Sequence, residues 1–142
     1  MYLKKKEQLQ ILDAINAAEL QTSGEIRVHV EGICEEDNPL DRAAWLFGEL
    51  GMEKTARRNG VLIYLALKSH RIAIIGDCGI NSKVESNFWD STLQAMQQLL
   101  TQGRTVEAIE QGVRLVGEQM KSLFPYEVED INELPDVISF GK

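Results

Sequence analysis

The segment RNGVLIYLALKSHRIAIIGDCGIN, residues 58–81, decides the fold of this chain of 142 residues. Its first apolar run, residues 61–67, carries apolar side chains on both faces, which is typical of a central strand covered by helices on two sides. The second run, residues 71–76, follows the short polar connection 68–70, so we expect it to return as the partner of a hairpin. Asp77 lies directly after this run, next to Gly76, and either stabilises a turn or belongs to a site.

Periodicity predicts the elements around this hairpin. Apolar residues at three- and four-residue steps predict a helix over residues 5–21, a second that Asn38 or Asp41 caps, a third over 84–100 and a fourth from Thr105 to about residue 123. The segment EIRVHVE, residues 25–31, alternates strictly and predicts a strand with one apolar face. Residues 137–140 predict a short edge strand or a stretch packed on the surface. Three aromatic side chains at helical spacing are expected in the core: Trp45, Phe88 and Trp89.

The order of these elements predicts an α/β fold with a small mixed sheet. A strand, helix and strand in succession form a right-handed parallel unit, so strand one runs parallel to strand two and strand three antiparallel to it. Because strand three is reversed, the turns at residues 23–25, 58–60 and 76–77 meet at one edge of the sheet. We expect one domain over residues 1–125 and an acidic extension over 126–142 that carries five acidic residues.

Charge and composition narrow the classes of function. With 15 basic and 22 acidic residues the formal net charge is -7, which disfavours nucleic acid and anionic lipid as partners. No apolar stretch reaches the length of a membrane span, and the start of the chain lacks the apolar region of a signal peptide, so a cytoplasmic protein is expected. Two cysteines, Cys34 and Cys78, are expected to be free thiols.

Four segments together resemble the TPM domain family, named for thylakoid-lumen, photosystem-assembly and acetylcholine-receptor-modulator members. They are SGEIRVHVE, the block 58–81, the segment with Trp89 and the helix EAIEQGVRLVGE. The resemblance covers about residues 9–123, and its most specific parts are Ser23-Gly24 and the Asn-Gly-Val-Leu that opens strand two. It implies a three-layer α/β/α sandwich. Members are linked to calcium binding, phosphatase activity, photosystem repair and receptor modulation, without one common reaction, and an aromatic often replaces Asp77 in that turn.

The edge where the three turns meet is the first predicted metal site. Carboxylate and amide oxygens are the ligands that Ca²⁺ and Mg²⁺ accept, and glycines there allow backbone carbonyls to turn inward. The residues of this first set are Asp77, Asn59, Glu25, Asn81 and Glu85. The competing hypothesis is that Asp77 and Asn59 only stabilise turns and that Asn81 only caps a helix.

A second acidic set lies in the loop after strand one, at the opposite edge of the sheet. Ligands commonly bind beyond the carboxyl ends of parallel strands, which favours this loop as a second metal site. The competing hypothesis is a solvated surface loop. The residues of this second set are Glu35, Glu36, Asp37 and Asp41.

Catalytic motifs are weak in this sequence. Walker, dinucleotide-binding, nucleophile-elbow and zincin motifs are all missing, and no His is placed near Cys78, so a structural thiol is favoured over a thiol mechanism. We therefore expect a non-catalytic binding or adaptor domain that takes Ca²⁺ weakly and contacts a protein partner. The alternative is a metal-dependent phosphatase that uses Asp77 and Asn59 to hold the cation and Arg57 with Arg58 to approach the phosphate.

Overall fold

A computed structural model describes residues 2–126 and 138–141 of the chain. Helix α1 spans Lys5–Glu19 and is followed by strand β1, Glu25–Glu31, and helix α2, Pro39–Glu49. The hairpin consists of β2, Gly60–Ala66, and β3, Arg71–Gly76. A single helical turn, α3, covers Cys78–Asn81, and the two long helices α4 and α5 span Asp90–Thr101 and Thr105–Leu123. Strand β4, Ile138–Phe140, lies near the end of the chain.

The four strands form one mixed sheet in the order β3-β2-β1-β4. Strand β1 pairs parallel with β2, with Glu25 opposite Gly60, and β3 returns antiparallel to β2, with Gly76 opposite Val61. The predicted hairpin and both strand directions are therefore confirmed. Strand β4 pairs parallel with β1 on its other side, which confirms the predicted short edge strand. Within the predicted acidic extension, residues 127–137 and residue 142 lie outside the described residues.

Helices cover both faces of the sheet, as the doubly apolar strand β2 predicted. One face carries α1, α4 and α5, and their buried side chains join Val28, Ile63 and Ile74 in the larger core. The other face carries α2, whose Leu46 and Phe47 pack on the second core around β2 and β3. The result is the predicted three-layer α/β/α sandwich.

The predicted helix over residues 84–100 was wrong at its start. Helix α4 begins only at Asp90, and a series of tight turns precedes it, with Phe88 N donating to Glu85 O and Asp90 N to Asn87 O. Val84 and Phe88 still pack partly buried against the larger core. Val84 and Phe88 are four residues apart, so their spacing matches that of one face of a helix although this segment forms turns.

The prediction that Trp45 belongs to the core was also wrong, because its side chain is 55% exposed. It lies on the outer side of α2, where its ring stacks on the Arg42 guanidinium at 5.0 Å. Trp89 is buried as predicted and packs edge to face against the partly buried Phe88.

Within residues 2–126 and 138–141, no helix is both long enough and apolar enough to cross a bilayer.

Candidate functional site

Three turns meet at the edge where β1 and β2 begin and β3 ends, and we call residues 23–25, 58–60 and 76–81 the turn edge. Backbone hydrogen bonds join them: Glu25 N donates to Asn59 O at 3.4 Å, and Asp77 N to Gly60 O at 3.0 Å. Gly79 N donates to Arg58 O at 2.9 Å, and a Cβ on Gly79 would lie 2.2 Å from Arg57 O. Only glycine allows this contact, so the close approach of the turns, predicted from the reversal of β3, is confirmed.

The Asp77 carboxylate is held by Arg58 in a two-point ion pair. Arg58 Nε donates to Oδ2 at 2.7 Å and Nη2 to Oδ1 at 2.9 Å, and these hydrogen bonds raise the pKa of Arg58 above its ordinary value. Oδ1 also accepts from Cys78 N at 2.7 Å and so caps α3. Arg58 has a positive φ of 51°, a left-handed conformation that is uncommon outside glycine. The turn-stabilising hypothesis therefore explains the Asp77 contacts that the structure contains.

Asn59 differs from Asp77 because one polar atom of its side chain has no hydrogen-bond partner among the described residues. The residue is 1% exposed, its backbone N donates to Thr55 Oγ1 at 3.1 Å, and its Nδ2 lies 3.5 Å from Ser23 Oγ. Its Oδ1 is buried and has no hydrogen-bond partner among the described residues. A buried carbonyl oxygen left unpaired costs about 1–3 kcal/mol. This oxygen is therefore available to accept a contact from an external ligand at the turn edge.

The other residues of the first predicted set divide into two groups. Glu25 is buried at the start of β1, opposite Gly60, so it shares the turn edge with Asn59. Asn81 uses its Nδ2 to donate to Gly76 O at 3.0 Å and so ties α3 to the end of β3. Glu85 is exposed and lies in the turns beyond α3, where it lines a groove with Asn81.

The second predicted set lies in the loop at the other end of β1. Its four acidic side chains are all exposed: Glu35, Glu36, Asp37 and Asp41. The loop is held partly through its backbone, since Asp37 O accepts from Arg71 Nη1 at 2.8 Å. In the described part of the chain, no group of three or more His, Cys, Asp and Glu side chains has an arrangement that could hold a metal ion. A cation site at either edge must therefore include amide, backbone or water oxygens.

A buried polar network on the second face of the sheet was not predicted. We call it the Glu31 cluster, and it consists of His29, Glu31, Arg42 and Tyr64. Arg42 donates from Nε and Nη2 to the two Glu31 oxygens at 3.0 and 2.8 Å, and Tyr64 OH donates to Oε2 at 2.5 Å. His29 Nε2 lies 3.2 Å from Oε1, and its ring stacks on Tyr64. These bonds fasten α2 to β1 and β2.

The cluster determines the charge state of its members. Burial alone would raise the pKa of Glu31, but the hydrogen bonds from Arg42, Tyr64 and His29 outweigh it and hold that pKa at about 2. Burial lowers the pKa of His29, and burial with the Glu31 bond raises that of Tyr64. At neutral pH the cluster thus pairs one carboxylate with the Arg42 cation. The alternating pattern of EIRVHVE shows that His29 and Glu31 share one face of β1. It does not show that this face is buried, because that depends on Arg42, which α2 supplies.

A thiol mechanism gains no geometric support. Cys78 is exposed at the turn edge. His29 belongs to the Glu31 cluster, and His70 lies in the hairpin turn at the far end of β3. Neither imidazole therefore lies where it would activate Cys78, and the structural thiol hypothesis is favoured.

Comparisons with known proteins agree with this architecture. Residues 1–119 match a family model described as the TPM domain. The NMR structure of the BA42 protein from the psychrophilic bacterium Bizionia argentinensis is 42% identical, with a TM-score of 0.91, and the match covers 99% of this chain and 97% of that one. No curated protein gives a significant match.

A more distant structure shares the fold alone. The N-terminal domain of the cg2496 protein from Corynebacterium glutamicum, solved by NMR, is 13% identical with a TM-score of 0.64, and the match covers 96% of this chain and 80% of that one.

Proposed function

Because the chain belongs to the TPM domain family, we propose that it is a non-catalytic binding module that takes one divalent cation, Ca²⁺, at the turn edge and contacts a protein partner. The observation that supports the cation is the buried Asn59 Oδ1, which has no partner in the described part of the fold. Ca²⁺ accepts six to eight oxygen ligands and tolerates amide and backbone carbonyls. The turn edge offers these beside two carboxylates, those of Glu25 and Asp77.

The proposed site has few charged ligands, so its affinity is expected to be weak. No third acidic side chain joins the two carboxylates among the described residues, and affinity for Ca²⁺ rises with the number of charged ligands. A dissociation constant in the range of about 0.1–1 mM is expected, similar to weak extracellular calcium modules.

Arg58 competes with the cation for Asp77. Its guanidinium already supplies a positive charge to both carboxylate oxygens, at 2.7 and 2.9 Å, and its side chain is about half exposed. Ca²⁺ must therefore displace the guanidinium into solvent before Asp77 becomes a ligand. Replacing Arg58 by Gln removes this competitor and is expected to tighten Ca²⁺ binding by about tenfold, which corresponds to about 1.4 kcal/mol.

An NMR titration with CaCl₂ up to millimolar concentration tests the proposal. Amide shifts are expected at residues 23–25, 59 and 77–81, and not at residues 35–41. The variant Asn59→Leu removes the unpaired oxygen while keeping the volume similar, so it should remain folded and lose these shifts. Glu36→Gln is the matched control in the second acidic set and should leave the titration unchanged. If only residues 35–41 respond, or if Asn59→Leu binds as well as the native chain, the proposed site is wrong.

A metal-dependent phosphatase is the second candidate, and two arginines at the turn edge favour it. Arg57 Nη1 donates to Ser23 Oγ at 3.2 Å, and the half-exposed Arg58 lies beside Asp77, so both could approach a phosphate group. A cation at this edge would polarise a phosphoryl oxygen and activate a water. Hydrolysis of an aryl phosphate, measured with and without divalent metal, tests this. Activity that Asp77→Ala leaves unchanged would exclude the turn edge as the catalytic site.

A further inference from the structure

Strand β3 forms the outer edge of the sheet, and its hydrogen-bonding direction follows from one contact. Asp77 N donates to Gly60 O at 3.0 Å, and these residues continue the β2-β3 register in which Val61 lies opposite Gly76. Backbone groups in an antiparallel pair alternate, so residues 71, 73 and 75 bond to β2. The N–H and C=O groups of Ile72, Ile74 and Gly76 therefore point away from the sheet.

Most of these outward groups have no partner in the part of the chain that the structure describes. Gly76 O accepts from Asn81 Nδ2, but the outward N–H and C=O of Ile72 and Ile74 make no hydrogen bond to the described residues. Ile74 is only 3% exposed. Buried backbone polar groups are nearly always paired in folded proteins. The middle of this edge thus presents unpaired backbone donors and acceptors that a further strand could bind.

A groove of about 430 Å³ lies at the Gly76 end of this edge and is lined by Ile74, Ile75 and Gly76 of β3. One wall comes from the layer of α2, through Leu40, and the other from the layer of the larger core, through Val84 and Trp89. Natural edge strands are often blocked by a bulge, a proline or a charged side chain, and within RIAIIG the one such feature is Arg71 at the first position of β3. The groove is also lined by the polar Asn81, Glu85 and Ser86. An added strand would direct successive side chains against one wall and then the other.

We propose that this groove binds an extended segment of a partner protein as a fifth strand beside β3. The segment pairs its backbone with the outward groups of Ile72 and Ile74 and directs successive side chains against one wall and then the other. Glu85 is exposed at the Gly76 end of the groove, so a Lys or Arg at that end of the segment matches it. This partner deepens the proposed role as a binding module, but it requires no cation.

The charge of the chain favours a basic segment over a second copy of this chain. Each copy carries a formal net charge of -7, so two copies repel each other. A segment that carries Lys or Arg is attracted to the same surface. The chain's own β4 is already paired with β1 at the opposite edge of the sheet.

A defined peptide tests the proposal on the whole chain in the presence of EDTA, so that calcium plays no part. The probe is an acetylated heptapeptide that alternates valine with threonine and carries an arginine at each end. We expect amide shifts and slower hydrogen exchange at Ile72, Ile74 and Gly76 at up to millimolar peptide. The same peptide with N-methylated alternate amides cannot donate to β3 and should bind at least about tenfold more weakly.

Two variants locate the binding. Leu40 is half exposed, so the Leu40→Lys variant should fold normally. The substitution removes part of one wall and places a positive charge near the arginines of the peptide, so it should weaken peptide binding by about tenfold. Leu9→Lys, at a similarly exposed position on α1, is the matched control and should bind as the native chain does. Glu85→Gln should weaken binding about threefold.

Several outcomes would overturn this inference. They are no shift at millimolar peptide, equal binding of the N-methylated peptide, and equal binding by Leu40→Lys. A free chain that sediments as a dimer with Ile74 already protected from exchange would assign the edge to a second copy instead. Loss of calcium binding with retained peptide binding would reject the cation site alone.

Discussion

The Glu31 cluster makes the free energy of unfolding depend on pH, and the pKa of Glu31 gives the size of that dependence. The Glu31 carboxylate is 2% exposed and takes four hydrogen bonds from Arg42, Tyr64 and His29. We expect Glu31→Gln to lower the free energy of unfolding at neutral pH, because the Arg42 guanidinium then loses its charged partner.

The size of this loss follows from the pKa of Glu31, which lies at about 2 in the folded chain against an ordinary 4.5. A depressed carboxyl pKa stabilises the fold above 4.5, and this stabilisation is lost as the pH falls from there through about 2. The difference corresponds to about 3 kcal/mol at neutral pH and about 1.4 kcal/mol at pH 3. Gln at this position does not titrate, so the native chain and the variant should converge in stability as the pH falls.

Urea denaturation at pH 7, 5, 4 and 3 measures this convergence. Glu118→Gln serves as the control, because its ion pair with Arg114 is about half exposed and should contribute less than about 0.5 kcal/mol at any pH. A native-to-variant difference that stays constant from pH 7 to pH 3, or that is below about 1 kcal/mol at pH 7, would refute the account of the cluster.

The remaining predictions concern single residues with clear surroundings. Gly79→Ala should lower the free energy of unfolding by more than about 2 kcal/mol, because its Cβ would lie 2.2 Å from a backbone oxygen, whereas Gly48→Ala, in open space on α2, should raise it by up to about 1 kcal/mol. Thermal unfolding compares the two, and similar effects would contradict the packing described for the turn edge. Trp45→Ala should change stability by less than about 1 kcal/mol in urea denaturation, and a loss of 3 kcal/mol or more, typical of a buried tryptophan, would contradict its exposure. Asp77→Asn should lower the melting temperature by a few degrees, because Arg58 loses its ion pair, and an unchanged melting temperature would contradict that pairing.

Much of the fold could be predicted because local pattern and long-range packing agree in the central hairpin. The doubly apolar run 61–67 required two covering layers, and the short connection 68–70 required an antiparallel return. These two features of the sequence also predict that Glu25, Asn59 and Asp77 lie at one edge of the sheet, and the backbone hydrogen bonds between their turns confirm it.

The errors have a common physical cause, which is that periodicity does not show what an adjacent element supplies. Val84 and Phe88 have helical spacing but lie in successive turns. Trp45 has the spacing of a core residue but lies on the surface, where its ring stacks on Arg42. In the same way, the ion pair between Arg42 and Glu31 was not predicted. The sequence does not show which face of α2 turns toward β1, and that orientation is what brings Arg42 to Glu31. The ion pair between Arg58 and Asp77 was likewise not predicted, since it depends on a left-handed backbone at Arg58.

The most direct test of the proposed function is a crystal structure from calcium-containing solution, with the ion located by its anomalous scattering. The account predicts one Ca²⁺ within about 2.3–2.6 Å of Asn59 Oδ1, with the Arg58 guanidinium displaced from Asp77. An ion bound instead among Glu35, Glu36, Asp37 and Asp41, or a turn edge that stays empty with Arg58 still paired to Asp77, would contradict it.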